Sequence, residues 1–313
     1  MMSQKILVGG SVAIDNVKTP TADEANLLGG SASYAALAAS KLAPKVHLLG
    51  ITGHDFPEEH LEMLRSQNVD LSALERSEQA SFTWSGEYHE NMNDRTTHAV
   101  AINVLEDWTV TVPEDLQDAP FIVLANMAPA NQLQLLDQCR AEKKFVVADT
   151  MDLWIQIASE ELHQVLQKID LLVINESEAR LFAETSHLVE AGERLLAKGP
   201  SYVVVKLGEF GAMLFGKGGL EGEEFFRCSA WPLKELADPT GAGDTFLGGM
   251  IGNLAAQGAL EPSFEQLKNA IVEGSMLASF TCSDFSTRAL EKVTPETLAA
   301  RCASFRQMST WGA

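Results

Sequence analysis

Residues 238 to 246 read Asp-Pro-Thr-Gly-Ala-Gly-Asp-Thr-Phe and lead directly into an apolar stretch that is typical of a helix. At a helix start the backbone N–H groups lack intrahelical partners and carry the positive end of the dipole, so Gly241, Ala242 and Gly243 are suited to bind an anion. A carboxylate beside a bound anion would repel it unless the carboxylate took part in the chemistry. We therefore predict that Asp244 accepts a proton from a hydroxyl group that attacks a phosphorus atom held in this turn. The alternative is a glycine turn in which Asp244 is only an acidic residue of the first helical turn.

Two further groups of polar residues follow short apolar stretches that are typical of buried strands. Asp15 comes soon after the first such stretch, and Asn175-Glu176-Ser177-Glu178 follows a later one. Because open α/β sheets bind ligands at the carboxyl ends of their strands, Asp15 is a candidate for binding hydroxyl groups, with a loop-closing aspartate as the alternative. The pair Gly29-Gly30 precedes an alanine-rich helix, where it lets a ligand approach the backbone or only lets the chain turn.

The apolar stretches alternate with helical segments along most of the chain. We expect buried strands near residues 6–8, 46–51, 121–125, 145–148, 171–174 and 202–206. Helices are expected between and after them, among them 57–67, 132–142, 241–257, 263–281 and 295–308. This alternation predicts an α/β fold in which helices cover both faces of a parallel sheet.

Residues 79 to 107 interrupt this alternation. Their side chains alternate between apolar and polar at period two on either side of a polar stretch, which predicts an antiparallel hairpin. We interpret the chain as one domain, 1–313, with lid strands inserted at about 12–28 and 79–107. The hairpin could equally be an addition at the sheet edge or the contact of a homodimer.

Composition excludes several classes of partner. The 313 residues include 23 Lys and Arg but 43 Asp and Glu, giving a formal charge of −20, so a nucleic acid or an anionic membrane is not expected to bind. The four cysteines lie far apart and indicate neither a zinc site nor a disulfide framework. With no apolar stretch long enough to cross a membrane and no signal peptide, we expect a cytoplasmic protein.

Taken together, these segments resemble the PfkB, or ribokinase-like, carbohydrate kinases over essentially the whole chain. Residues 238 to 244 match the pattern D-[TP]-[TS]-G-A-G-D, and residues 175 to 178 are similar to the N-x-x-E motif. Gly29-Gly30 and Gly53-His54-Asp55 match the glycine pair and the G-x-D turn of the family. The resemblance implies a Rossmann-like αβα sandwich with a small β-strand lid, and transfer of the γ-phosphoryl group of ATP to a hydroxymethyl alcohol of a sugar.

The resemblance also implies a role for each matched position. Asp244 would be the catalytic base beside an anion hole at 241–243, and Asp15 and Gly30 would bind substrate hydroxyls. Asn175 and Glu178 would organise Mg²⁺ and its waters. The nucleotide would be contacted by four residues: Lys206, Gly208, Gly211 and Thr240. Some members bind a monovalent cation near the position of Asp238, which makes K⁺ a further candidate.

Three departures from the family pattern concern the phosphate acceptor. Tyr34 stands where many members have an asparagine that touches the sugar, and Asp149-Thr150-Met151-Asp152 replaces a D-x-N-x-R pattern. The segment between Asp15 and Gly29 is short, so we expect fewer lid strands than in ribokinase. These departures leave the phosphoryl-transfer motif intact but leave the acceptor open.

The leading interpretation is an ATP-dependent sugar kinase, and the alternative within the family is a nucleoside kinase. In a nucleoside kinase Trp84, Tyr88 or Tyr34 could stack on a base. A non-catalytic sugar sensor is disfavoured by the complete set of predicted catalytic residues. A dehydrogenase is rejected because the stretch from Gly9 to Ser11 lacks the G-x-G-x-x-G spacing.

Overall fold

The structure, a computed structural model, describes residues 5–310 except residues 219, 221 and 223. The strands are, in chain order, β1 (Ile6–Gly9), β2 (Ala13–Lys18), β3 (Asp23–Gly29), β4 (Val46–Thr52), β5 (Val69–Asp70), β6 (Leu74–Arg76), β7 (Phe82–Tyr88), β8 (Arg95–Ala101), β9 (Phe121–Leu124), β10 (Phe145–Asp149), β11 (Leu171–Asn175), β12 (Tyr202–Lys206), β13 (Ala212–Gly216) and β14 (Phe225–Cys228). The helices are α1 (Ser31–Ser40), α2 (Glu58–Ser66), α3 (Pro129–Gln138), α4 (Asp152–Ile157), α5 (Ser159–Leu166), α6 (Glu176–Ala183), α7 (Leu188–Leu196), α8 (Ala242–Gln257), α9 (Phe264–Thr281), α10 (Arg288–Glu291) and α11 (Pro295–Ser309).

The large sheet has the strand order β14-β13-β12-β11-β10-β9-β1-β4-β5, with β6 also paired to β4. The strands from β12 to β5 in this order run parallel, whereas β13 and β14 are antiparallel additions at one edge. The chain moves outward from β1 to β4 and then returns to place β9 on the other side of β1. Such a reversal opens a crevice at the carboxyl ends of the central strands, where open α/β sheets bind ligands.

Two apolar layers cover the sheet because its buried strands are apolar on both faces. Ile6 and Val8 pack into one layer with α1, α8, α9 and α11, while Leu7 packs into the other with α3, α5 and α7. This α/β sandwich confirms the predicted fold class. Glycines allow very close helix contact, since a Cβ at Gly248 of α8 would overlap the backbone oxygen of Ala35 in α1.

A second sheet of four strands, in the order β3-β2-β7-β8, stands at the carboxyl edge of the large sheet. The hairpin of β7 and β8 is antiparallel, as predicted, and β2 joins it in parallel with β7. The strands fall within the two segments expected to form a lid. The function of this sheet as a lid and as a homodimer contact stays a prediction.

Helix α3 begins and ends earlier than the expected 132–142. It starts at Pro129, which suits the first helical position because its missing N–H needs no partner there. Beyond Gln138 the chain turns, and Arg140 N donates to Gln117 O at 2.6 Å on the way to β10. In the described part of the chain, no helix has the length and apolar character needed to cross a membrane.

Candidate active site

A cavity of about 1060 Å³ lies at the carboxyl ends of the parallel strands and is bounded on one side by the second sheet. All the residues singled out from the sequence as site candidates line it: Asp15, Gly30, Asn175, Glu178, Lys206, Gly208, Gly211, Thr240, Gly241, Ala242, Gly243 and Asp244. The volume is at the upper end of the range for small-molecule sites, so two ligands can lie side by side. The structure therefore brings together residues that are up to 229 positions apart (Asp15 and Asp244) in the sequence.

The turn before α8 is held by a buried carboxylate beneath it. Asp238 accepts hydrogen bonds from Thr240 N at 2.9 Å and from Ser286 N at 3.2 Å. Gly241 has a φ of 74° in the left-handed region, which favours glycine and turns the chain into the helix. Of the predicted anion-hole donors, Ala242 N already donates to Pro239 O at 3.2 Å. The N–H groups of Gly241 and Gly243 donate to no acceptor among the residues that the structure describes.

Asp244 lies in the first turn of α8, at the positive end of the helix dipole. Burial, and then the negative charge of Asp149, raises the pKa of Asp244 to about 7 against the opposing effect of the Lys206 ammonium group. A carboxyl group with a pKa near neutrality is able to accept a proton and to release it again at physiological pH.

Lys206 and Asp149 form an ion pair at the centre of the cavity. Lys206 Nζ lies 3.1 Å from Asp149 Oδ2, and the two side chains are 17% and 7% exposed. Lys206 was predicted as a nucleotide contact, whereas Asp149 was seen in the sequence only as part of a departure from the family pattern. The sequence gives no local signal for this pair, because the two residues are 57 positions apart.

Asn175 and Glu178 form a capping box at the start of α6. Asn175 Oδ1 accepts from Glu178 N at 2.9 Å, and Glu178 Oε2 accepts from Asn175 N at 3.0 Å. Burial, and then the charge of Asp149, raises the pKa of Glu178 to about 7. No cluster of three or more His, Cys, Asp or Glu side chains within the described residues is arranged to hold a metal ion. The pair therefore fits a Mg²⁺ ion that keeps most of its waters and takes its other ligands from phosphates, and does not fit a protein-enclosed metal site.

Asp15 lies on β2, lines the cavity and is only 5% exposed. Its Oδ1 has no hydrogen-bond partner within the described residues. Burial, followed by the charges of Asp238 and Asp244, raises the pKa of Asp15 to about 8. A buried acceptor atom without a partner is suited to a ligand hydroxyl. Gly30 has a φ of 88°, and a Cβ there would overlap the backbone of Ser11.

The predicted nucleotide contacts surround the turn that follows β12. Gly208 and Gly211 have φ values of 58° and 94°, and a Cβ at Gly211 would overlap the backbone of Cys228. Thr240 lies across the cavity from this turn, and its Oγ1 donates to the hydroxyl of Tyr88 at 3.2 Å. This bond links the second sheet to the turn before α8.

The acceptor side of the cavity is walled by two indole rings. Trp84 is in register with Asp15 on the neighbouring strand, so both side chains are on the same face of the second sheet. The Trp154 Nε1 donates to Asn126 Oδ1 at 2.9 Å, and the backbone oxygen of Asn126 accepts from Ser31 Oγ at 3.0 Å beside Gly30. Trp154 was not predicted as a site residue.

Two of the three aromatic residues considered for base stacking are too deeply buried to stack on a ligand. Tyr34 is 2% exposed, and its ring packs where a Cβ of Gly241 would be. Tyr88 is 6% exposed and accepts a hydrogen bond from Thr240. Of the three, Trp84 alone is only partly buried where it lines the cavity, with its ring packed over Gly86.

Arg95 on β8 is a further residue that the sequence did not single out. It lines the cavity, and its side chain makes no hydrogen bond or ion pair with the residues that the structure describes, although its backbone pairs with Tyr88 of β7. Its positive charge lowers the pKa of Asp244, so the guanidinium faces the start of α8. A signal was present in the sequence, since Arg95 ends the polar stretch between the two predicted strands of the hairpin in a very acidic protein.

The sequence matches one family of known proteins over most of its length. Residues 7–293 match the pfkB family carbohydrate kinases. The cytidine kinase of Thermococcus kodakarensis is 27% identical over 261 residues, which cover 82% of this chain and 90% of that protein. The nucleoside kinase of Methanothermobacter thermautotrophicus is 24% identical over 279 residues, 87% of this chain and 84% of that protein.

Among solved structures, the ribokinase from Giardia lamblia superimposes with a TM-score of 0.80 at 17% identity, covering 96% of this chain and 99% of that one. This likeness shows a ribokinase-like fold. Since the family match extends over most of the sequence, the chain belongs to the pfkB family of carbohydrate kinases and is a phosphotransferase with an alcohol group as acceptor.

Proposed function

We propose that this enzyme transfers the γ-phosphoryl group of ATP to the hydroxymethyl group of a nucleoside. The new bond forms between the hydroxymethyl oxygen and the γ-phosphorus, and the bond between that phosphorus and the bridging oxygen of ADP breaks. The proton of the hydroxyl group passes to Asp244. Positioning contributes more than basicity here, because an alcohol needs little deprotonation in advance of a loose phosphoryl transfer.

The start of α8 has the features expected of a site that binds the transferred phosphoryl group. The free N–H groups of Gly241 and Gly243, together with the helix dipole, provide fixed positive charge where negative charge develops. Asp244 follows directly, and Arg95 approaches from the second sheet. Thr240, Gly208 and Gly211 would line the path of the nucleotide from this point outward.

Asn175 and Glu178 would hold Mg²⁺ through its waters. When bound, the ion would supply positive charge against the phosphate oxygens. The capping box keeps the Glu178 carboxylate at a fixed position on α6, so no loop has to order before the metal can bind. A role for K⁺ near Asp238 stays open, although both oxygens of that carboxylate already accept backbone hydrogen bonds.

The aromatic wall above Asp15 is the observation that favours a nucleoside over a free sugar. A sugar would bind against Asp15 and Gly30, and Trp84 and Trp154, which line the same cavity, would flank a planar base attached to that sugar. The names of the two relatives that cover most of the chain, a cytidine kinase and a nucleoside kinase, agree with this choice.

A free sugar is the second candidate acceptor. Asp15, with its buried and unpartnered oxygen, would recognise the hydroxyls of ribose and of a nucleoside equally well. The similarity of the fold to a ribokinase is compatible with this acceptor.

The catalytic role of Asp244 is tested with Asp244→Asn. The amide keeps the shape of the site but cannot accept the proton, so we expect nucleotide binding to persist and kcat to fall by about 10²-fold or more. Calorimetric titration with ADP and Mg²⁺ measures binding, and a coupled assay measures turnover. Near-normal kcat in this variant would disprove the assignment.

The acceptor is tested by comparing nucleosides with pentoses and hexoses in the wild type and in Trp154→Ala. Stacking contributes about 1–3 kcal/mol per base, so KM for a nucleoside should rise about tenfold or more, while KM for ribose stays unchanged. Trp231→Ala is the matched control, because Trp231 lies in the loop beside Gly211 and should affect only KM for ATP. Efficient turnover of free sugars, with the same KM for nucleosides in the wild type and in Trp154→Ala, would instead support the sugar kinase.

A further inference from the structure

Three neighbouring strands of the large sheet end in polar side chains. Asp149, Asn175 and Lys206 are the last residues of β10, β11 and β12, and β11 lies between the other two. Adjacent strands are about 4.8 Å apart, so the ends of β10 and β12 are separated by about 10 Å. The long side chain of Lys206 crosses the end of β11 to reach Asp149 Oδ2 at 3.1 Å.

The Asp149 carboxylate is fixed from the protein side. Its Oδ1 accepts from Thr150 N at 2.9 Å, and its backbone oxygen accepts from the buried amide Nε2 of Gln132 at 3.1 Å. These two bonds leave Oδ2 directed at Lys206. The Lys206 ammonium group is therefore held by a carboxylate whose own orientation is fixed by hydrogen bonding.

The other side of the ammonium faces the turn before α8. A Cβ built on Gly243 would lie 2.9 Å from Lys206 Nζ, so the absence of a side chain at Gly243 lets the ammonium lie against the backbone of the anion hole. Burial lowers the pKa of Lys206, but the charges of Asp149, Glu178 and Asp244 together raise it above its ordinary value. The ammonium therefore stays charged.

A purely structural link between strands is a weak explanation for this pair. The strands β10 and β12 are already joined through the backbone hydrogen bonds of β11. The free energy needed to remove two charges from water exceeds the stabilisation that such an ion pair provides, and apolar side chains of similar size stabilise a fold better. The cost is understandable if the ammonium has a task in the reaction.

We propose that Asp149 is a positioning residue for phosphoryl transfer, which holds the Lys206 ammonium against Gly243 so that its charge meets the transferred phosphoryl group. Lys206 exchanges no proton in this role. It balances charge that moves from the γ-phosphoryl group toward the leaving ADP, next to Asp244. The inference rests on the proposed role of the turn before α8 as the phosphoryl site.

A double-mutant cycle tests this coupling. Removing one fixed charge from such a site costs about 10²–10³-fold in kcat, which we expect for Lys206→Met. Asp149→Asn should lower kcat about tenfold with little change in KM for the acceptor. If Asp149 acts through Lys206, adding Asp149→Asn to Lys206→Met should produce no further loss. Lys206→Arg should recover part of the activity only while Asp149 is present.

Lys168 and Asp137 provide the matched control. They form an exposed ion pair of 2.6 Å outside the cavity, so Lys168→Met with Asp137→Asn should leave kcat unchanged. Thermal unfolding of every variant separates loss of folding from loss of turnover, and Lys206→Gln replaces Lys206→Met if the latter does not fold.

Three outcomes would overturn the proposal. Independent, multiplicative losses from the two substitutions would show that Asp149 does not act through Lys206. An increase in the Mg²⁺ concentration needed for half-maximal rate in Asp149→Asn, with an additive cycle, would assign Asp149 to the metal. Unchanged kcat in folded Lys206→Met would leave only a structural role. Turnover by the wild type is measured in the same assay, so a failure of the proposed kinase reaction is recognised separately.

Discussion

Asp15→Asn should make the protein more stable while it impairs acceptor binding. Asp15 is 5% exposed, its Oδ1 has no partner within the described residues, and the carboxylates of Asp238 and Asp244 face it. In the protein without a bound acceptor, this carboxyl group therefore lowers the stability of the fold. An asparagine has a similar shape and carries no charge at any pH.

The cost follows from the pKa of Asp15, which the folded protein raises from 3.8 to about 8. Between these values the unfolded chain ionises Asp15 while the folded protein keeps it protonated, so the folded state binds more protons and stability falls as pH rises. Below pH 3.8 the effect is absent, and above about pH 8 it no longer grows. At pH 7, about three pH units above 3.8, the cost is about 4 kcal/mol. Relaxation of the site reduces it, so we expect Asp15→Asn to gain about 1–3 kcal/mol.

The assay is thermal or urea unfolding of the free protein at several pH values from 5 to 8. The stability difference between Asp15→Asn and the wild type should increase with pH across this range. Asp23→Asn, at an exposed position of β3 in the same sheet, is the control and should show no such trend. A difference that is constant or shrinks with pH would refute the reasoning.

Acceptor binding gives a second readout for the same residue. Ligand hydroxyls donate to the ionised form, so binding to the wild type at pH 7 should release about one proton. Calorimetry in two buffers with different heats of ionisation measures this release, which Asp15→Asn should abolish together with most of the acceptor affinity.

Three other predictions concern the reaction and the helix packing. Because the pKa of Asp244 is about 7 and the ionised form is required, kcat/KM should fall at least about tenfold per pH unit below pH 7, and a flat profile down to pH 5 would contradict this role. Glu178→Gln should raise the Mg²⁺ concentration that gives half-maximal rate, at unchanged thermal stability within about 1 kcal/mol if its metal role dominates its capping role. Gly248→Ala should lower the free energy of unfolding by about 1–3 kcal/mol in chemical unfolding, because the new Cβ would overlap the Ala35 backbone. The control Gly258→Ala meets no atom within 4 Å and should cost only about 1 kcal/mol, because residue 258 has a left-handed φ of 65°.

Much of the fold followed from periodicity, whereas most members of the site were predicted from the glycine turn and from the resemblance to the family. Continuous apolar stretches indicated buried parallel strands, and parallel strands place all their carboxyl ends at one edge. Asp15 and Asn175 were therefore expected to lie on the same side of the sheet as any ligand, and both line the cavity. The helix start at residue 241 was expected from its glycines, and α8 begins at Ala242.

The pairing of side chains across the site could not be predicted in the same way. Lys206 and Asp149 meet because their strands, β12 and β10, flank β11, so that the lysine side chain reaches across the end of β11. Neither local sequence encodes this strand order. Trp154 reaches the acceptor side through its bond to Asn126, which depends on how α4 leaves the end of β10. Tyr34 was considered for stacking, but its burial against Gly241 depends on the close contact of α1 with α8.

The glycines of this site have a different task from the one that their sequence pattern indicates. A glycine near a ligand is usually interpreted as making room for the ligand. Here a Cβ at Gly29 would overlap the Asp15 carboxylate, and a Cβ at Gly243 would press on Lys206 Nζ. These glycines make room for the protein's own charged side chains, which then lie close to the backbone. The positions of the Asp15 carboxylate, which we propose binds the acceptor, and of the Lys206 ammonium therefore depend on residues that carry no chemistry themselves.

The same arrangement explains how a protein of charge −20 can handle a polyphosphate. Its overall field repels ATP, so attraction has to come from groups within a few ångströms. Near the start of α8 three carboxylates, Asp149, Glu178 and Asp244, surround one ammonium group, and burial favours protonation of two of them. Protonated carboxyl groups repel an incoming phosphate less than ionised ones do. The raised pKa values of Glu178 and Asp244 therefore reduce the charge conflict on nucleotide entry, and Mg²⁺ and the acceptor hydroxyl then favour the ionised forms that the reaction requires.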